Sequence, residues 1–136
     1  MRRPLNRALF SSVAFVAVMG CATPQPTRTD DFLFAQQVAT KQSKSVKGST
    51  YLRDVFVGYF ERNAAPVLRR CLSELDKPDR SDFSVILAIR ESGEVADVFL
   101  NNEHNTSLCF KAGLRSVRFP PPPVDMFYGE VQMRAT

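Results

Sequence analysis

Apolar and polar positions alternate from Phe83 to Ile89, with Phe83, Val85, Leu87 and Ile89 on one side and Ser84, Ile86 and Ala88 on the other. This period of two predicts a half-buried strand. Glu91-Ser92-Gly93 then makes a short turn, with Gly93 placed for the left-handed conformation of a type I turn plus bulge. A second strand runs from Glu94 to Leu100, and so short a connection makes the pair antiparallel. Alternation returns at Gly129–Arg134, the expected last strand.

Before this hairpin the period is helical. Tyr51, Val55 and Tyr59 form one row and Leu52, Phe56 and Phe60 the next, which together make a wide apolar stripe. Ser49 or Thr50 can cap the start, and Asp54 suits the first turn. Pro66 interrupts the pattern, because a helical proline frees the carbonyl four residues back. Leu68, Cys71, Leu72 and Leu75 then restore the stripe, so one kinked helix or two consecutive ones are expected, ending near Asp76-Lys77-Pro78.

After the hairpin, Asn101–Asn105 is a polar loop, and Asn105 or Thr106 can cap a second helical region. Phe110, Gly113, Leu114 and Val117 share one face there, with Leu108, Cys109 and Ala112 beside them. Gly113 costs a helix about 1 kcal/mol relative to Ala, which a close approach to a neighbouring element would offset. Phe119 leads into Pro120–Pro123, an extended stretch without amide donors, expected as a rigid connector with a PxxP ligand as the alternative. The fold class is α+β: two helices on one face of a three-stranded antiparallel sheet, in the order α-β-β-α-β, over residues 49–136.

The first 48 residues have a different character. Arg2, Arg3 and Arg7 precede an apolar run from Ala8 to Gly20, which as a helix would span about 20 Å against a hydrocarbon core of about 30 Å. Residues 1–20 therefore read as a signal peptide. Val18-Met19-Gly20-Cys21 resembles a bacterial lipobox, which implies cleavage before Cys21 and lipid attachment to its thiol; an ordinary signal peptide with an incidental Cys21 is the alternative. Ala22, in place of an Asp, leans towards the outer membrane rather than the inner. Residues 21–48 read as a lipidated N-terminus and flexible linker. Within it, Asp30–Ala39 is expected as a transient or docked helical segment, with a docking peptide for a partner as the alternative.

Charge changes little. The formal +4 owes three charges to the signal segment, and beyond residue 20 there are 15 basic against 14 acidic side chains. No nucleic-acid partner is expected from so even a balance. Catalysis is not expected either. No serine lies in a nucleophile-elbow context, Glu91 and Glu94 belong to an exposed hairpin tip, and His104, the one histidine, reads as a solvated loop residue. No cofactor is expected, and no metal site, for want of ligands.

With Cys21 lipidated, Cys71 and Cys109 remain, and only one pairing is open to them. An oxidising compartment favours the bridge, with two buried free thiols as the alternative. The order helix with Cys71, strand, Gly93 turn, strand, helix with Leu108-Cys109 and Leu114, Phe119-Pro120 with Pro122, strand resembles the TonB C-terminal-like domains. Within them it is similar to the AgmX/PglI C-terminal domain branch. The resemblance spans about residues 50–134 and implies the fold and a habit of pairing a sheet edge with a partner strand. It does not carry over energy transduction, since a lipid anchor stands where a transducer has a transmembrane helix. The expectation is a non-catalytic interaction module facing the periplasm, anchored in a membrane and bound to an envelope protein. A binder of a lipid or peptidoglycan fragment, or an auxiliary subunit of a TonB-like or motility/transport complex, is the alternative.

Overall fold

The structure, a computed structural model, describes residues 28–134. The expected signal peptide, Cys21 and the first part of the expected linker lie outside the described residues. Helix α1 (Arg28–Ser43) is followed by α2 (Val46–Tyr51), a π-helical stretch (Leu52–Phe56), α3 (Val57–Asn63) and α4 (Ala65–Glu74). Strands β1 (Phe83–Ile89) and β2 (Val95–Leu100), helix α5 (Asn105–Leu114) and strand β3 (Phe127–Met133) complete the chain. The strands form one antiparallel sheet in the order β2-β1-β3. The α+β class and the three-stranded sheet thus stand as read from the sequence.

The layering differs from two helices on one face. Phe83, Val85, Leu87 and Ile89 of β1 point into the main core with Phe56, Phe60, Leu68, Phe110 and Leu114. On the other face, Ile86 is buried under Phe32, Ala35 and Ala39 of α1. The sheet is therefore covered on both faces, and β1 carries five fully buried residues in succession, Val85 to Ile89. Within the expected linker of residues 21–48, the part from Arg28 onward is therefore not flexible: it is α1 on the sheet, the docked form of the segment expected at Asp30–Ala39, joined by a short corner to α2. The apolar signal of α1 is faint because two of its three buried contacts are alanines.

The corner is held by Ser45, whose side chain accepts from the Gly48 N–H at 3.0 Å and donates to the Gln42 carbonyl at 2.8 Å. A Cβ on Gly48 would collide with that same carbonyl. The expected Ser49/Thr50 start is thus replaced by a Ser45 cap. The π-helical stretch turns Phe56 fully inward, where its ring lies over Gly129 of β3; a Cβ there would be 2.5 Å from it. The expected break at Pro66 is found at Ala64, with Pro66 in the first turn of α4, where its missing N–H costs nothing.

Cys71 of α4 and Cys109 of α5 lie at disulfide distance, with Cα atoms 5.9 Å apart. Gly113, one turn beyond Cys109, packs against Val67, one turn before Cys71. The two helices run antiparallel with this pair as a second rung, so the glycine has the close neighbour that its helix cost called for. Gly93 has φ +87° and a backbone so near Phe119 that a Cβ would overlap the Phe119 carbonyl. The Phe119 N–H donates to the Gly93 carbonyl at 2.8 Å, fastening the segment before Pro120–Pro123 to the hairpin tip.

Candidate functional site

Both outer strands of the sheet are candidates for an interaction edge, since no strand among the described residues pairs with either from outside. They are not equivalent. On β2, the register with β1 slips between Ala88 and Ile89, leaving Ala96 as an extra residue. The Val98 N–H is taken by the Asp97 carboxylate at 2.8 Å, and Asp97 also faces the Arg115 guanidinium at 3.7 Å. A bulge and a charge pointed at the edge are devices that block strand addition.

On β3, the first turn of ladder is occupied by a side chain instead. The Gln42 amide of α1 donates to the Met126 carbonyl at 3.1 Å and accepts from the Tyr128 N–H at 2.8 Å, as a neighbouring strand would. Gln36, also on α1, donates to the Glu130 carboxylate at 2.9 Å. Alternate residues of a strand turn their N–H and C=O the same way. The outward pair at Tyr128 is therefore repeated at Glu130 and Gln132, beyond the reach of Gln42. Phe127, Gly129, Val131 and Met133 turn inward to β1.

The other residues singled out in the sequence fall elsewhere. Cys71 is fully buried and lies at disulfide distance from Cys109, between α4 and α5. Gly93 shapes the hairpin tip, at which the Glu91 N–H donates to the Asp125 carboxylate at 2.9 Å. His104 is not a solvated loop residue, and it takes the capping role expected of Asn105 or Thr106. Its Nδ1 accepts from the Ser107 N–H at 3.3 Å, while its own N–H donates to the Ser107 hydroxyl at 2.9 Å, a reciprocal cap on α5. Its ring meets Phe83 edge-on at 5.4 Å. Asn105 clamps the loop before β1, donating to the Lys77 carbonyl at 2.7 Å and accepting from the Asp79 N–H at 2.9 Å. Asp79 is held below the usual carboxylate range by hydrogen bonds from the Ser81 hydroxyl and N–H.

A groove of about 390 Å³ lies between α2 and the proline segment, lined by Val46, Tyr51, Val55, Pro121 and Pro123 together with Lys47 and Asp54. The Tyr51 hydroxyl donates to the Pro120 carbonyl at 2.7 Å, and burial pushes that phenol up to about 12. The Asp54 carboxyl is held low by the hydrogen-bonded Arg53 guanidinium. The role of Gln42 was not legible in the sequence, because a lone glutamine at the end of a weak helix carries no pattern.

Among the described residues there is no cluster of His, Cys, Asp and Glu that could hold a metal ion, and no helix long and apolar enough to cross a membrane. Comparison with known proteins finds no matching family model, no matching curated protein and no matching solved structure.

Proposed function

We propose that this chain is a lipid-anchored, non-catalytic interaction module of a bacterial cell envelope, exposed to the periplasm, which receives an extended segment of a partner protein along the outer edge of β3. The observation that carries this reading is the difference between the two edges. β2 is closed by Asp97 and its bulge, whereas β3 presents outward backbone groups at Glu130 and Gln132 next to a pairing site already made by Gln42. Support for the compartment comes from the charged and apolar leader, the Gly20-Cys21 junction and a cysteine pair at disulfide distance. Ala22 favours the outer membrane. The helix–hairpin–helix–strand order keeps the resemblance to the TonB C-terminal-like domains of the AgmX/PglI branch, to which α1 would be an addition.

Gln132→Pro removes one outward N–H from β3 without touching an inward ladder bond. In cells treated with a crosslinker, this variant should recover its envelope partner many-fold less than the parent chain, while Ala96→Pro on β2 should recover it normally. Equal recovery by both variants sinks the β3 reading. The groove at Tyr51 and Pro121 favours a second reading, a seat for a small apolar envelope ligand, and native mass spectrometry of chain purified from envelopes would show the added mass.

A further inference from the structure

Helix α1 uses one side for the fold and leaves an apolar pair on the other. Phe32, Ala35 and Ala39 are buried on the sheet, whereas Leu33 and Phe34 are 49% and 62% exposed. Neither residue belongs to a core cluster of the described residues. Both residues belong to the first two turns of α1, the end from which the chain runs back to Cys21. Only residues 22–27 separate Cys21 from Arg28. At 3.3–3.6 Å per residue at most, that length keeps the start of α1 within about 25 Å of Cys21 along any path.

Resting on the lipid-anchor reading above, we propose that the N-terminal turns of α1 dock on the bilayer that holds the acyl chains of Cys21, with Leu33 and Phe34 set among the lipid headgroups. Two side chains are too little apolar surface to bind a membrane unaided. A tether this short raises the local concentration so far that a weak contact is mostly occupied. The acidic residues in the first turn of α1 make this end of the helix more compatible with zwitterionic than with anionic headgroups.

The chain has no tryptophan, so one introduced indole reports alone. The full lipidated chain carrying Phe34→Trp is reconstituted in phosphatidylethanolamine–phosphatidylcholine vesicles and compared with one carrying Val46→Trp, which replaces a side chain 82% exposed beyond the far end of α1. Brominated lipid should quench the position-34 indole several-fold more than the position-46 indole, and anionic lipid should reduce the difference. Chain that floats with the vesicles but shows equal quenching at both positions overturns the docking and leaves the anchor standing. Chain that does not float overturns the anchor and the docking with it. A blue shift at position 34 without quenching assigns the pair to a protein contact instead and overturns the proposal.

Discussion

Val67 of α4 fills the space that a side chain at position 113 of α5 would need: a Cβ built on Gly113 collides with the Val67 Cγ1. Helix propensity favours Gly113→Ala by about 1 kcal/mol, whereas overpacking a tight contact costs about 1–3 kcal/mol. The collision involves a β-branched side chain with little freedom to turn away, so the variant should be less stable, with a lower urea midpoint. Gly113→Ala combined with Val67→Ala should recover part of the loss, and additivity of the two would show that they are not in contact.

The neighbouring rung is the cysteine pair. Closing a loop across a separation of 38 residues stabilises a domain by on the order of 4 kcal/mol in the chain-entropy model. Reduction with dithiothreitol, or Cys71→Ala with Cys109→Ala, should lower the melting temperature by well over ten degrees for a domain of this size. An unchanged melting curve would mean that the two thiols are free in the purified protein.

Tyr51 makes stability depend on alkaline pH. Its folded value, about 12, lies above the usual 10.0 because burial disfavours the phenolate. The stabilisation is therefore complete below pH 10 and is lost as pH rises towards 12. Deprotonation also removes the donor to the Pro120 carbonyl. Unfolding midpoints of the parent chain should fall across that window, and Tyr51→Phe should remove the part of the fall that Tyr51 causes. A parallel decline in both chains would assign it to other groups.

Among the described residues Phe32 is the one large apolar side chain of α1 buried on the sheet, beside the polar contacts of Gln36 and Gln42. Truncating a buried phenylalanine costs about 3–5 kcal/mol where the site cannot rearrange. Here the helix can detach instead, since its other buried contacts are Ala35 and Ala39. Phe32→Ala should raise amide exchange throughout α1 and at the Tyr128 N–H, which Gln42 holds, while the amides between β1 and β3 stay protected. Uniform loss of protection would show that α1 and the sheet unfold as one unit.

These cases show why the main core was legible and the second face was not. The stripe from Tyr51 to Phe60 and the alternation from Phe83 to Ile89 repeat large apolar residues at one period, and both elements formed where that repeat predicted. Ile86 broke the alternation, an apolar residue among Ser84 and Ala88, and it was the one sign in β1 of a second buried face. Phe32-Leu33-Phe34 gave no period because only Phe32 turns inward. The cap on α5 was missed because histidine is a rare capping residue, and its Nδ1 does there what a serine oxygen usually does. The edge of β3 depends on a glutamine 86 residues away from its partner amide, a pairing that only the folded chain displays.

The central position of β1 has a kinetic consequence. Its pairing with β2 is local, but Phe83 meets Met133 only when the whole of α5 and the proline segment have been laid down between them. A chain emerging from synthesis cannot complete its sheet until residue 133 is free. Until then Val85 to Ile89 forms an apolar strand lacking one neighbour, the kind of segment that chaperones hold and that pairs with other chains when left waiting.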